Sequence, residues 1–365
     1  FEMRGSFRVE QRSSHREGKF ENGSYPGERS FGKSEGSTFL SFGLKSELIY
    51  KITGRHLLTF HSAYLETNPY LNNMFSNIRE NNDLVLDIGK EKALGFDLAY
   101  LFRHPYFRIN LNLYYLQTTD QTKLGFYYTD GIMGGEEVPS SAFVQEVLRN
   151  IDKLRFGVEF GLEVSLLNNF KFRTVGMFGQ ATYSNHPQLY LTSDSFNDMV
   201  DLGTSYLRNY RISNGPQQAL SFGIEYSSPK YWWIGMSYNL FDNAFISVAP
   251  INRTRNFFLD SDGKPIEKID DELAKKLLSQ ESLGAYSLFN VVGGKSWKVK
   301  DMYFGIFLSA NNVTNTVFKT GGFEQSRNAN YNTLLEDQSR QQPLFGPKYW
   351  YGMRGAYFVS VYLRL

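Results

Sequence analysis

The sequence predicts an all-β chain: an antiparallel transmembrane β-barrel wall of about twelve strands, with long loops at one end and short turns at the other. Three observations carry that expectation. Apolar and polar residues alternate over unusually long stretches, short breaks and long polar segments take turns along the chain, and the C-terminal residues form one more alternating strand.

The alternation appears first in EKALGFDLAYLF (91–102), where Leu94, Phe96, Leu98, Tyr100 and Phe102 oppose Gly95, Asp97 and Ala99. In PYFRINLNLYYLQ (105–117), Phe107, Ile109, Leu111, Leu113 and Tyr115 oppose Arg108, Asn110, Asn112 and Tyr114. The longest example is KLRFGVEFGLEVSLLNNFKF (153–172). There Leu154, Phe156, Val158, Phe160, Leu162, Val164 and Leu166 share one parity, and Arg155, Gly157, Glu159, Gly161, Glu163 and Ser165 take the other. At about 3.3 Å per residue this is one strand roughly 45 Å long. Soluble strands usually run about five or six residues, whereas a tilted strand crossing a bilayer needs about nine to eleven. A shorter repeat follows, with Leu220, Phe222, Ile224 and Tyr226 opposite Ser221, Gly223 and Glu225. The expected orientation puts the 154–166 apolar parity toward lipid and Arg155, Glu159 and Glu163 toward the lumen.

The connections discriminate better than the strands. Short breaks fall at 51–56, 103–105, 166–170, 227–230 and 298–301, and long polar segments at about 14–37, 67–92, 121–152, 185–215, 249–283 and 314–354. Compact soluble domains rarely carry structureless loops beyond about 12 to 15 residues, so six of them favour a barrel with outer loops and inner turns. In the fifth loop, IEKIDDELAKKLLSQ sets Ile269, Leu273 and Leu277 near one face, which predicts a short helix folded over the rim. The last stretch, AYFVSVYLRL, alternates through Tyr357, Val359, Val361, Leu363 and Leu365, the pattern of a closing strand and C-terminal insertion signal.

Composition narrows the function classes. The 365 residues include 24 Tyr and 31 Phe, which favour β structure. The 39 basic and 37 acidic residues nearly cancel without a dense basic run, so a nucleic-acid footprint is not indicated. Cysteine is absent, which excludes disulfides and thiolate metal sites. No apolar run reaches the 18 residues of a transmembrane helix, and the chain opens on FEMRGSFRVEQ without signal-peptide character, as a processed or internal segment would.

Motifs for chemistry fail on inspection. GGKS (293–296) lacks the first glycine of a phosphate loop, since Phe289 stands there, and SWKVK rather than a helix pattern follows. DSDG (260–263) places Ile269 where a calcium loop needs a bidentate Glu. His15, His56, His61, His104 and His186 lack metal-ligand spacing, and Glu159 and Glu163 lie about 13 Å apart along a strand. The expectation is a non-enzyme with no cofactor.

Aromatic clusters in KYWWIGMSY (230–238) and KYWYGMRGAYF (348–358) suit the interface belts of a membrane barrel. Ligand would arrive from the loop side, where Arg253, Arg255, Arg327, Tyr331, Arg340, Tyr349 and Trp350 offer mixed guanidinium and aromatic surface suited to sugars, peptides or anions. Packing of loop on loop is the plain alternative for these seven.

The chain resembles the C-terminal part of the barrel of TonB-dependent outer-membrane receptors of the Bacteroidota, SusC-like type. The stretches that carry the resemblance are 43–75, 150–163, 227–254 (SSPKYWWIGMSYNLFDNAFISVAPINRT), 293–299, 310–327 (ANNVTNTVFKTGGFEQSR) and 345–365. The family usually ends on an aromatic residue, where this chain has Leu365. The resemblance implies that residues 1–365 form part of a plugged barrel of roughly 22 strands, with the plug, the first strands and the TonB-contacting segment outside this sequence. It further implies outer-membrane lipid, TonB and a SusD-like surface lipoprotein as partners, and import of a large or scarce nutrient. A non-transporting structural barrel in an outer-membrane complex and a self-contained twelve-strand pore are the alternatives.

Overall fold

The computed structural model describes residues 1–129, 141–166, 169–196, 199–213 and 215–364. Twelve antiparallel strands follow one another across a single sheet: β1 Glu2–Ser14, β2 Ser37–Lys51, β3 His56–Thr67, β4 Glu91–Arg103, β5 Phe107–Thr129, β6 Ala142–Leu166, β7 Phe170–Tyr183, β8 Gln218–Ser228, β9 Trp232–Asp242, β10 Tyr286–Val299, β11 Met302–Asn311 and β12 Ala356–Arg364. Each strand pairs with its sequence neighbour, so long loops gather at one end and tight turns at the other. Among the described residues β1 and β12 do not pair, and the wall has two open edges.

Register explains why the alternation matters. Directly opposed residues of antiparallel strands lie on one face. The pairing therefore carries one apolar row through Met3, Leu48, Phe60, Leu98, Leu113, Val158 and Phe178. It continues in the far half through Ile224, Met236, Val291, Ala310 and Tyr357. Most of these side chains are exposed, Leu113 at 49% and Phe178 at 43%, and Leu48, Val158, Val291 and Ala310 are partly so. An apolar face this continuous is left for lipid to cover. At the turn end it closes with tilted aromatic pairs: Phe102 against Phe107 at 5.3 Å, Phe170 against Tyr226 at 4.7 Å, Tyr226 against Trp232 at 5.1 Å and Trp297 against Phe304 at 5.4 Å. On β12, Tyr357, Val359, Val361 and Leu363 all lie on this face, paired with Ala310, Leu308, Ile306 and Phe304. Leu365 lies outside the described residues.

The segment 121–152 departs from expectation. Instead of one long loop, β5 continues to Thr129 and β6 begins at Ala142, with residues 130–140 outside the described part. Two compensating bulges mark the change. The register slips between Thr118 and Gln121 and again between Gln121 and Lys123, one extra residue falling on each strand. Asp120 and Asn150 take the left-handed conformation there, at φ 60° and 56°, which Asp and Asn tolerate best among non-glycine residues. Asp152 accepts from the Asp120 amide at 3.1 Å, and Asn185 receives the Asp152 amide at 3.0 Å while donating to the Asn150 carbonyl at 2.7 Å. Above this stitched rim the two strands stand as a fin, widened by Gln188–Ser193 on β6 and by Val200–Thr204 beyond it.

The buried core sits around the fin. Val144, Leu148, Ile151, Leu189, Leu191, Leu202 and Leu207 pack with Val248, Ala249 and Ile251 of the β9–β10 loop. The loops also contribute three short α-helices: α1 Leu71–Met74, α2 Asp271–Leu277 and α3 Tyr331–Gln338. The expected rim helix is α2, whose start is fixed by Asp270 accepting from the amides of Glu272 and Leu273. Gly293–Ser296 runs inside β10, and Asp260–Gly263 is a turn in which Asp260 accepts from the amides of Asp262 and Lys264.

Candidate ligand-facing surfaces

The seven loop residues do not form one site. Arg253 ends a short 3-10 helix, Pro250–Arg253, and its side chain is 2% exposed. Its fork spans Glu324, with Nη2 2.6 Å from Oε1 and Nη1 bonded to Oε2. Nη2 also donates to the Leu278 carbonyl at 2.8 Å, and the guanidinium lies 5.0 Å from the Tyr210 ring centroid. These contacts tie the β7–β8, β9–β10 and β11–β12 loops together, so Arg253 acts as a fastener rather than as surface offered to ligand. Tyr331 is likewise internal: it is 3% exposed, edge-on to Phe257 at 6.3 Å, and its hydroxyl accepts from the Asp270 amide at 3.2 Å.

Arg327 stacks over Tyr127 of the fin at 4.6 Å, and Tyr127 donates to the buried Glu146 carboxylate at 2.9 Å. Tyr349 belongs to a two-stranded hairpin, Lys319–Phe323 with Lys348–Tyr351. Its hydroxyl donates to Glu281 at 2.6 Å, and the Lys319 ammonium lies 3.4 Å from its ring. Partial burial and the neighbouring Glu281 carboxylate push this phenol up to about 12. Arg255, Arg340 and Trp350 remain exposed, Trp350 at 59% while packing on Phe323.

The face of the wall opposite the apolar belt is polar, and many of its groups are paired. One cross-strand row runs Arg4, Glu47, His61, Asp97, Tyr114, Gly157 and Gly179. Within it His61 bridges two carboxylates, with Nδ1 2.7 Å from Asp97 and Nε2 3.1 Å from Glu47. Sequence spacing could not reveal this grouping, because its members come from three strands. Glu163 pairs with Arg173 at 2.9 Å, and Asn112 donates to Glu159 at 3.4 Å. Three concavities border this face, the largest of them, about 460 Å³, beside Asn110, Glu159, Ser221 and Asn239. A second, of about 420 Å³, is bordered by Lys171, Arg173, Ser221, Glu225 and Asn290. The third, of about 280 Å³, is bordered by Tyr114, Arg155, Met177, Gly179 and Gln217. Among the described residues no group of three or more His, Cys, Asp or Glu side chains could hold a metal ion.

No protein-family model and no curated protein sequence matches this chain. Among solved structures it is similar to the copper transporter OprC, with 12% identity and a TM-score of 0.57 over 99% of this chain and 45% of that one. It is similar to the ferric citrate transporter FecA in its unliganded form, with 10% identity and a TM-score of 0.53 over 99% and 42%. It is also similar to the FrpB iron transporter of Neisseria meningitidis, with 12% identity and a TM-score of 0.52 over 99% and 43%. The chain thus spans less than half the length of each of these proteins. Its fold is that of the antiparallel β-barrel wall these transporters share, with long loops at one end and short turns at the other.

Proposed function

We propose that this protein sits in the outer membrane as the barrel portion of a TonB-dependent receptor and imports a large or scarce nutrient without chemical conversion. The observation that supports it most is the division of the wall into one exposed apolar face and one hydrogen-bonded polar face, continuous over twelve strands. A channel wall needs that division. OprC, FecA and FrpB, which share the fold, are transporters of copper, ferric citrate and iron. The two open edges favour a larger barrel over a self-contained twelve-strand pore, since unpaired edge groups cannot be left in hydrocarbon.

In this reading residues 1–365 are the C-terminal part of a barrel of roughly 22 strands, of the Bacteroidota, SusC-like type. TonB is engaged through a segment outside this sequence, and a SusD-like lipoprotein caps the loop end. Ligand contact falls to Arg255, Arg340 and Trp350, the members of the loop set left exposed. The test is uptake in cells carrying the native gene, with and without TonB. Accumulation that collapses without TonB supports import. TonB-independent permeability, together with a native polypeptide of this chain's own mass, would favour the pore.

A further inference from the structure

Midway along β6, just below the bulges, two cations stand on the polar face without a partner among the described residues. Lys153 and Arg155 share one parity, about 7 Å apart along the strand. Both are half-buried, and among the described residues neither makes a hydrogen bond or an ion pair. Elsewhere on the same face Arg4 is matched by Glu47, and Arg173 by Glu163 and Glu225. Lys153 instead feels the like charges of Arg155 and Lys123, with Glu91 as the one opposing charge. Glu91 is already engaged by the Gln121 amide at 3.1 Å.

The space beside Arg155 is shaped by its neighbours. Arg155 borders the 280 Å³ concavity with Tyr114 and Gln217. The Tyr114 side chain lies across Gly157 and Gly179, where any Cβ would strike it: a Cβ on Gly157 would sit 2.7 Å from the hydroxyl. Gln217, bonded to the Ala181 amide at 2.8 Å and to the Ala181 and Ile212 carbonyls at 3.1 Å, fixes the wall across from Arg155. Of the other carboxylates in this region, Asp152 is held by the Asp120 amide, and Glu159 lies further down the same face, one strand from Tyr114.

Partly desolvated like charges placed side by side are costly unless a counter-charge arrives. A guanidinium adds a planar fork that matches a carboxylate or phosphate edge, and an ammonium adds a point charge. We propose that Lys153 and Arg155, with Tyr114 beside them, form a binding site for a carboxylate- or phosphate-bearing anion on its way through the barrel. This rests on the import reading for its biological meaning, but not for its measurement.

The test uses the full-length receptor purified in detergent, titrated calorimetrically at low salt with inorganic pyrophosphate and with propane-1,2,3-tricarboxylate. At least one anion binds the native protein, and the two probes distinguish phosphate from carboxylate chemistry. Arg155→Gln and Lys153→Gln each weaken binding about tenfold, the scale of one lost charge-assisted hydrogen bond. Arg155→Lys retains part of it, and Glu91→Gln tightens it severalfold. Heat-modifiable gel mobility confirms that each variant is a folded barrel. Binding of neither anion, or equal binding to the two Gln variants, overturns the site. TonB-dependent uptake in cells without anion binding in vitro would remove the site and leave import standing; anion binding without TonB-dependent uptake would do the reverse.

Discussion

The wall and the loop cap solve opposite problems with the same strands. In the wall, large side chains such as Phe178, Leu113 and Val359 are exposed, and stability comes from ladder hydrogen bonds and from lipid. In the cap, Leu189, Leu191, Ile251 and Phe257 are at most 1% exposed, and the Arg253–Glu324 ion pair is buried too, as in a water-soluble domain. β5 and β6 belong to both regimes, with the change falling at their bulges. Burial marks structural residues only in the cap, whereas in the wall the parity of a residue carries that information.

The largest effect expected is in the cap. Arg253→Ala leaves the Glu324 carboxylate without its partner inside the loop core and should cost the cap about 3 to 5 kcal/mol. Limited proteolysis of the loops in an otherwise folded barrel reads this directly. Pairing Arg253→Met with Glu324→Leu should recover much of the loss, and failure of that double variant would mean that the pair holds the loops in a way apolar packing cannot.

Next comes the wall. Val158→Arg on the apolar row should cost about 2 to 4 kcal/mol near the bilayer midplane, while Glu159→Arg one position along should be mild. Urea unfolding in lipid vesicles measures both, and equal costs would erase the distinction between the faces. Spin labels at 158 and 159 sharpen the same point, since only 159 should be water-accessible.

Smaller effects concern exposed groups. Arg255→Ala, on an exposed side chain that makes no hydrogen bond or ion pair among the described residues, should leave stability within about 0.5 kcal/mol. If this loop touches ligand, affinity falls at normal surface abundance. The smallest is a titration. Because the folded Tyr349 phenol is raised to about 12, its contact with Glu281 contributes stability below the ordinary phenol range, and that contribution is lost as pH rises through about 12. Tyrosinate absorbance of the native protein, compared with Tyr349→Phe, should show one fewer late-titrating phenol in the variant.

The wall was legible in the sequence because its signal is local: parity along a strand is set by the backbone, and lipid on one face keeps that parity strict. The fin was not, since QTTDQTKLGFYYT reads as polar loop when its neighbours in space, Leu189 and Val248, are unknown. Arg253 stood out as a cation near an aromatic-rich loop, but its partner Glu324 is 71 residues away, a separation beyond any local pattern. The reverse holds for Arg155, whose parity already placed it on the lumen side. Only the three-dimensional structure shows that, among the described residues, no hydrogen bond or ion pair answers its charge.

The paired bulges at Asp120 and Asn150 also bear on how such a chain can be lengthened or shortened over generations. A residue inserted into a strand below the rim would turn every lipid-facing side chain of that segment inward, and the barrel would be lost. Above the rim the register has already been reset by one residue on each strand, so an insertion re-faces only the fin and its loops. Descendants of this chain are free to rewrite the end that meets the environment while inheriting the membrane portion unchanged.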